Sequence, residues 1–479
     1  MGWNDVSYHN STIPTPHIDS LAKNGMRLEQ YYVQEICSPS RAALMTGQYP
    51  YTTGVSHGLI ANGYTMAPPL TSPSWQFMKD RGYDTHYYGK WDVGAHQWAY
   101  TPLGRGFDSF YGFFNAAAEY YKHTDTLSWT EHGVRKTCEG LDLCCTPDKK
   151  PIFGQTGNYS THMYTAEVLG RLKSHRTGDP PLFLLVAYQA VHGPLEAPQE
   201  YIDRCAFPSL STDRKTFCGM SIALDEGIGN ITSYLKHSGM WHNTLIVFST
   251  DNGGPHQDGA NNWPLRGNKG TTWEGGVRGV GFMSGGFLPP SVRSTQSNVL
   301  MHITDWLPTI VEGVVGYPVQ NAAFDGFNLW PALTSDSISP RKEVLIRLDP
   351  VHGSYAGDAA LRTDKWKLIL GHQKTGQCFS GWVTENGTCT PAPAHSRSPY
   401  YLFDIVNDPY ETTDLSTRRS DVVKQLLERI ESYNASHIMQ QGWDNPFHPE
   451  SCPSDSTDWA WLPWMDHAER VPDASIHYV

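Results

Sequence analysis

The sequence lacks several features that would assign it to large classes of protein. No apolar run approaches the length of a membrane span, and the longest apolar stretches, PLFLLVAY and TLIVFST, have the length of strands. Basic charge is not in excess: the formal net charge is −12, which argues against a nucleic-acid partner. Repeats and low-complexity tracts do not occur. The remaining composition, with 39% hydrophobic residues in 479, suits a globular chain long enough for two domains.

The first residues of the sequence do not have the pattern of a signal peptide, although the composition is typical of secreted proteins. Met1 is followed by GWNDVSYHN, which contains neither a basic nor an apolar segment. Nine cysteines and five N-x-S/T sequons nevertheless favour an oxidising compartment. The sequons begin at Asn10, Asn158, Asn230, Asn386 and Asn434. We therefore expect a protein of the secretory pathway, lysosomal or extracellular, whose true N-terminus lies upstream of Met1.

An odd number of cysteines cannot pair completely within one chain. If Cys37 is set aside, eight remain, and eight can form four disulfides. Cys205 with Cys218, and Cys378 with Cys389, are close enough in sequence for local loops, but the spacing leaves the connectivity open. The other four cysteines are Cys138, Cys144, Cys145 and Cys452.

Helix-like and strand-like segments alternate over the first two-thirds of the chain. The segments TPHIDSLAKNGM, SPSWQFMKDRG and TAEVLGRLKSH predict helices, and RLEQYYV, YDTHYY and PLFLLVAY follow them as predicted strands. A helix through Leu224 and Leu235 precedes the strand TLIVFST, and Leu307, Ile310 and Val314 mark another amphipathic helix. This alternation predicts an α/β fold, in which a parallel or mixed sheet lies between helices.

The pattern changes after about residue 340. LRTDKWKLILG and YYLFDIVNDPYETTDLS predict antiparallel strands, and VVKQLLERIESYNAS predicts one helix. We therefore predict a main domain over residues 1–340 and a smaller C-terminal α+β domain over residues 341–479.

Several chemically reactive side chains come directly after predicted strands. In strand order they are Cys37, Lys90 with Asp92, His192, and Asp251 with Asn252. Ligands of open α/β sheets bind beyond the carboxyl ends of the strands, so these side chains are candidates for one common site.

Taken alone, each candidate also has an ordinary structural explanation. Cys37 opens the segment CSPSRAALMTG, where Pro39 presets a helical turn and Arg41 adds a planar cation, an arrangement that favours an anion. By spacing alone, a buried or disulfide-bonded structural cysteine explains Cys37 equally well. A turn explains DNGG, and a lone lysine is usually a solvated surface residue.

Longer motifs carry a resemblance to a known family. CSPSRAALMTG matches the sulfatase signature C-x-P-S-R-x-x-L-x-T-G at every defined position, and GYDTHYYGKWDVG resembles the second sulfatase signature. AVHGPL, FSTDNGG and NNWPLRGNKGTTWEGGVRGVGF extend the resemblance, which runs from Gly2 to LPWM near the C-terminus. The chain as a whole resembles the arylsulfatase B-like, N-acetylgalactosamine-4-sulfatase-like branch. This implies an alkaline-phosphatase-like α/β fold and hydrolysis of sulfated sugars, such as those of glycosaminoglycans.

The resemblance also implies a modified nucleophile. In sulfatases the signature cysteine is oxidised to formylglycine by a formylglycine-generating enzyme, which would withdraw Cys37 from disulfide pairing. The aldehyde hydrates to a diol, of which one hydroxyl attacks sulfur and the other permits sulfate to leave. The family resemblance further implies Ca²⁺, or Mg²⁺ in its place, bound by the modified Cys37, Asp251 and Asn252.

The remaining catalytic roles are implied in the same way. Lys90, Lys269 and Arg41 would supply the cations that hold the sulfate. His192 lies in the position of the family histidine near the bridging oxygen, where it or Lys269 would protonate the leaving alcohol.

Two departures from the family pattern put activity in question. Asp92 stands where the second signature usually has histidine, and a carboxyl group with a reference pKa of about 3.9 is a weaker base than imidazole. The strand that ends in an Asp-Asp metal-ligand pair is missing before GWND, and Asp5 is too far along the chain to replace it. The alternatives are therefore a catalytically impaired sulfatase-like glycoprotein that binds sulfated glycans, and a phosphatase or phosphodiesterase of the same superfamily. The latter would be expected to have Ser or Thr in place of Cys37.

Overall fold

A computed structural model describes residues 1–56, 60–145, 147–205, 210–320, 322–335, 337–349, 358–371, 378–391, 399–434 and 446–465. The strands are β1 (Met26–Leu28), β2 (Tyr31–Tyr32), β3 (Asp84–Lys90), β4 (Ser109–Phe113), β5 (Thr124–Glu131), β6 (Val134–Leu141), β7 (Leu182–Ala187), β8 (Ile246–Ser249), β9 (Gly281–Ser284), β10 (Thr295–Ser297), β11 (Met301–His302), β12 (Glu343–Leu348), β13 (Ala359–Thr363), β14 (Trp366–Leu370), β15 (Trp382–Val383), β16 (Cys389–Thr390) and β17 (Tyr400–Asp404). The α-helices are α1 (Pro16–Asn24), α2 (Cys37–Thr46), α3 (Pro50–Thr53), α4 (Gln76–Lys79), α5 (Ser160–Ser174), α6 (Gln199–Asp203), α7 (Thr212–His237), α8 (Glu274–Val277), α9 (Trp306–Pro308), α10 (Trp330–Thr334) and α11 (Ser420–Asn434). Among these described residues, no helix has the length and apolar character needed to cross a bilayer.

Two sheets form the main body of the fold. One is parallel throughout, in the order β4-β3-β7, and the other has the order β10-β1-β9-β8, with β9 antiparallel to both of its neighbours. Long helices α5 and α7 pack against each other and contribute to the same apolar cluster as β7. The structure thus confirms the predicted α/β class with helices packed on a parallel and mixed sheet.

The edge strands β7 and β8 share an unusual degree of exposure. Every residue of both strands is only half-buried, although their sequences, LFLLVA and IVFS, are almost entirely apolar. Within the described part of the chain, β7 pairs with β3 and β8 pairs with β9, so each is the last strand of its sheet. Residues of both, including Leu184 and Ile246, belong to one apolar cluster with Val168 and Leu235.

A third sheet lies in the C-terminal part of the chain. It is antiparallel, in the order β12-β13-β14-β17, and α11 packs its apolar side against one face. The strands and the helix predicted from LRTDKWKLILG, YYLFDIVNDPYETTDLS and VVKQLLERIESYNAS are thus present. The division at residue 340 stays a prediction.

Three helix and strand predictions need correction. The helix predicted from SPSWQFMKDRG is only the single turn α4, because the backbone on either side of it forms i to i+3 turns, with Met78 N–H donating to the Trp75 carbonyl and Gly82 N–H to the Lys79 carbonyl, each at 2.9 Å. The strand RLEQYYV is two strands, β1 and β2, which pair with different partners. The amphipathic helix near Leu307 consists of α9 followed by a π-helix, Thr309–Val314.

The disulfides agree with the prediction that eight cysteines can pair when Cys37 is set aside. Cys205–Cys218 and Cys378–Cys389 close the two local loops, and the remaining pairs are Cys138–Cys452 and Cys144–Cys145. Cys37 is buried and free, as the setting aside of one cysteine predicted.

Candidate functional site

Cys37 is the first residue of helix α2 and is fully buried. Ile36 before it is extended, and Gly47 ends the helix in the left-handed conformation at φ 65° with its N–H donating to the Ala43 carbonyl. Burial raises the pKa of the Cys37 thiol, and Asp92 raises it further, whereas Lys90 and Lys269 oppose the shift. The thiol is therefore neutral, and it lies within electrostatic reach of side chains from three other segments.

Arg41, one turn further along α2, ties the ends of two strands together. Its Nε donates to Asp251 Oδ2 at 3.1 Å, just after β8, and its Nη1 donates to the backbone carbonyl of Lys90 at 2.8 Å, at the end of β3. The guanidinium offers several donors in one plane, so a single side chain can fix both strand ends relative to Cys37.

Lys90 and Asp92 form a buried ion pair at the end of β3. The distance from Lys90 Nζ to Asp92 Oδ2 is 3.2 Å, and the two side chains are 2% and 0% exposed. Asp92 has φ 56°, a left-handed conformation that aspartate tolerates better than most residues. Ser38 donates to Asp92 Oδ1 at 2.7 Å and accepts from the Ile60 N–H at 3.0 Å. Sequence reasoning missed Ser38, because it occupies an undefined position of the first signature.

His192 and Lys269 form the opposite wall of the site. His192 Nδ1 lies 2.7 Å from the carbonyl oxygen of Gly193, which can only accept, so Nδ1 carries the proton. Its Nε2 is then the acceptor for Lys269 Nζ at 3.0 Å. Burial lowers the pKa of His192 well below its usual value, and Lys90 and Lys269 lower it further. The imidazole is thus neutral with its proton on Nδ1, and Lys269 Nζ is the donor in this pair.

Asp251 and Asn252 follow β8 and present oxygen atoms to the site. Burial alone would raise the pKa of Asp251, but Arg41, Lys90 and Lys269 outweigh it and hold the pKa well below the usual range. The Asn252 amide donates from Nδ2 to the Gly253 carbonyl at 2.7 Å, and its buried Oδ1 has no hydrogen-bond partner among the described residues. An ionised carboxylate beside an unsatisfied amide oxygen fits a hard divalent cation, although two side chains supply only part of a usual ligand set.

Asp5, the other acidic residue near the start of the chain, is engaged elsewhere. Its carboxylate accepts from the backbone N–H groups of Gly2 and Asn261 at 2.6 and 3.1 Å and forms an ion pair with Arg214. These bonds satisfy both oxygens, so the structure gives Asp5 a local structural role.

The loop that carries Lys269 is held by two other regions. The Gly270 N–H donates to the Glu35 carbonyl at 2.7 Å, close to Cys37. Glu411, from the C-terminal region, accepts at both ends of the loop: its carbonyl from Arg266 Nη1 at 3.1 Å and its carboxylate from the Glu274 N–H at 2.7 Å. Nothing in the DPYETTDL sequence indicated this role for Glu411, because the contact joins residues far apart in the chain.

The structure brings all of the predicted site residues into one cluster. Hydrogen bonds, ion pairs or close charges link Cys37, Arg41, Lys90, Asp92, His192, Lys269, Asp251 and Asn252 directly or through a sequence neighbour. The cluster combines three cationic side chains with a free cysteine at a helix N-terminus. Such an arrangement can hold an oxyanion against a potential nucleophile in a protein whose overall charge is negative.

Comparisons with known proteins agree with this chemistry. The model of the sulfatase family matches residues 1–317. Arylsulfatase J of Mus musculus is 37% identical over 98% of this chain and 79% of that protein. Arylsulfatase A of Homo sapiens is 27% identical over 90% of this chain and 84% of that protein.

Solved structures share the fold. A crystal structure of Ps i-CgsB in complex with k-i-k-neocarrahexaose superposes with a TM-score of 0.73 at 28% identity, covering 92% of each chain. A phosphonate monoester hydrolase of Agrobacterium radiobacter superposes with a TM-score of 0.59 at 17% identity, over 95% of this chain and 96% of that one, and shows a likeness of fold alone.

Proposed function

The chain belongs to the sulfatase family and is a sulfuric-ester hydrolase, and from that premise we propose that it removes sulfate from sulfated sugars through Cys37. The observation that supports this most directly is the state of Cys37. It is the one cysteine of nine outside the disulfides, and it is buried at a helix N-terminus within reach of Lys90 and Lys269. A purely structural cysteine has no need of buried cations around it.

Oxidised to formylglycine by a formylglycine-generating enzyme, Cys37 would supply a hydrated aldehyde, that is, a nucleophile with a second hydroxyl for release. A divalent cation, Ca²⁺ or Mg²⁺, would be held by Asp251 and Asn252 beside Cys37 and would stabilise negative charge there. The roles that we propose for the surrounding residues depend only on their own contacts.

Lys90 and Lys269 bind the sulfate oxygens, and Arg41 holds the ends of β3 and β8 so that the lysines keep their places. Because His192 is neutral and accepts at Nε2 from Lys269, the proton available to the leaving oxygen is on Lys269 Nζ. We therefore assign Lys269 as the general acid and His192 as the group that orients it. Asp92, ion-paired with Lys90, is the candidate base for sulfate release.

These residues lie within residues 1–340, which we propose as the catalytic domain; residues 341–479 form a C-terminal domain that supports the Lys269 loop through Glu411. Four disulfides and sequons that are exposed at Asn10, Asn158, Asn230 and Asn386 support a glycoprotein of the secretory pathway, lysosomal or extracellular.

The experiment is expression in a secretory host with and without formylglycine-generating enzyme. Mass spectrometry of the tryptic peptide that ends at Arg41 should show loss of the thiol and gain of an aldehyde only with that enzyme, and aryl-sulfate hydrolysis should follow the modified fraction. A Cys37→Ala variant is the matched control and should be inactive. Cys37 recovered solely as thiol, or activity that Cys37→Ala retains, would overturn the proposal.

A further inference from the structure

We propose that a cavity beside His192 binds the sugar ring that bears the reacting sulfate, and that its carboxylates reject a second anionic substituent on that ring. The proposal rests on the proposed function and adds the substrate class. The ligand is the monosulfated ester of an otherwise neutral, hydroxyl-rich sugar.

The cavity has a volume of about 290 Å³ and lies between the segment 117–126, β6 and the loop after His192. Its lining includes Glu119, Lys122, Asp125, Glu139 and Pro194. This volume is at the lower end of the range for small-molecule sites, roughly 300–1,000 Å³, and suits one sugar ring rather than a longer oligosaccharide.

Two hydrogen bonds join the segment 117–126 to the loop that carries His192. The Tyr120 hydroxyl donates to the His192 carbonyl at 2.8 Å, and the Tyr120 N–H donates to Glu196 Oε2 at 2.7 Å, so Tyr120, which lies between the lining residues Glu119 and Lys122, holds this loop in place. Burial raises the pKa of Asp125 to about 6, and the smaller influences on it include Lys90 and Asp92. The Asp125 carboxylate is thus within electrostatic reach of the residues that would hold the sulfate.

The roles proposed for Lys269 and His192 place the leaving sugar near this cavity. If Lys269 and His192 serve the leaving oxygen, the alcohol that departs extends from the sulfate on the side of His192. Pro194, two residues further along the same loop, lines the cavity. A leaving sugar on the His192 side is therefore next to the loop whose Pro194 lines this space.

The charges of the cavity select the ring. Lys122 Nζ pairs with Glu119 Oε1 at 2.9 Å, and above about pH 6, where Asp125 is ionised, the carboxylates of Asp125 and Glu139 are in excess. An ionised carboxylate only accepts hydrogen bonds, so it needs donors such as sugar hydroxyls. A second sulfate or a carboxylate on the ring would bring only acceptors and like charge, which an interface of this kind disfavours. Positive charge thus lies near the reacting sulfate, and negative charge lies near the sugar ring.

The test compares kcat/KM at pH 7 for a monosulfated N-acetylhexosamine, which is neutral apart from its sulfate, and for the same N-acetylhexosamine with a second sulfate. The wild-type enzyme, loaded and modified as it is secreted, should prefer the monosulfated compound by about tenfold or more. Glu139→Gln and Asp125→Asn should each reduce this preference several-fold, and the double variant should reduce it further. Glu428→Gln, an exposed change on α11 far from the cavity in the chain, should leave the preference unchanged.

Aryl sulfate, tested in parallel, distinguishes failure of the proposed function from failure of the assignment of the cavity. Absence of aryl-sulfate turnover in the modified wild type contradicts the proposed function itself. Normal aryl-sulfate turnover together with equal kcat/KM for the two N-acetylhexosamines, or with a preference that Glu139→Gln and Asp125→Asn leave intact, overturns the assignment of the cavity.

Discussion

Replacing Lys367 with methionine removes the cation from a fully buried ion triad. Lys367 Nζ lies 2.8 Å from Glu274 Oε1 and 2.9 Å from Glu411 Oε1, and all three side chains are 0% exposed. Burial alone would raise the pKa of Glu274, but Lys367 and Arg278 hold it below its usual value. For Glu411, burial prevails and raises the pKa to about 7. Two carboxylates thus share one ammonium group, and Arg278 is a second, more distant cation near Glu274.

The cost of the change follows from this arrangement. Removing one partner of a buried ion pair costs about 3–5 kcal/mol, because the other charge stays buried without compensation. At about 2 °C per kcal/mol for a large folding unit, the melting temperature should fall by about 6–10 °C. Lys365→Met is the matched control: Lys365 is 52% exposed and lies 3.3 Å from Asp404 Oδ2, and an exposed pair of this kind contributes about 1 kcal/mol or less.

Thermal unfolding of both variants is measured at one scan rate and pH 7, together with aryl-sulfate hydrolysis at a temperature well below unfolding. Lys367→Met should also lower kcat, since Glu411 holds both ends of the loop that carries Lys269. Adding Glu411→Gln to Lys367→Met should recover part of the stability, because one of the two stranded carboxylates is then gone. If Lys367→Met unfolds at the same temperature as Lys365→Met, the reasoning about the triad is refuted.

Two further predictions concern acidic groups. Burial raises the pKa of Asp142 to about 8, so its contribution to stability is full below the unfolded pKa near 4 and is lost as the pH rises through 8. Between pH 5 and pH 8 the melting temperature of Asp142→Asn should therefore fall less than that of the wild type. Parallel falls of the two melting temperatures would contradict this. Asp92→Ala should slow steady-state turnover more than the first turnover, which rapid-quench kinetics separates, whereas Asp92→His should retain both; if both variants behave as the wild type, Asp92 has no part in sulfate release.

Much of the fold was predictable because it depends on local pattern. Strand-length apolar runs and capped helices gave the right class, and α7 ends where Gly239 takes the left-handed conformation at φ 79°. The convergence of the candidate site was also predictable, since reactive side chains that follow neighbouring strands of an α/β sheet meet at the same edge. The position of Lys90 was predicted less accurately: it is the last residue of β3 rather than a residue beyond the strand.

The contacts that tune the site were not predictable, since they join residues distant in the chain. The Cys138–Cys452 disulfide spans 314 residues, and no spacing rule selects that pair from eight cysteines. Glu411 reaches Arg266 across a separation of 145 residues, and its role depends on how the C-terminal sheet docks. The tautomer of His192, which decides where the proton of the Lys269 pair is, depends on a backbone carbonyl that only the folded loop supplies.

The half-buried edge strands β7 and β8 have a consequence for how the protein behaves in concentrated solution. An edge strand exposes backbone donors and acceptors, and it becomes a template for self-association unless charge, proline or a covering segment blocks it. In the part of the chain that the structure describes, LFLLVA and IVFS bear no charged side chain. The net charge of −12 repels other copies at a distance, but screening by salt leaves these edges as the points of contact. Aggregation of this chain should therefore increase with ionic strength and proceed by strand pairing rather than by loss of the helical shell.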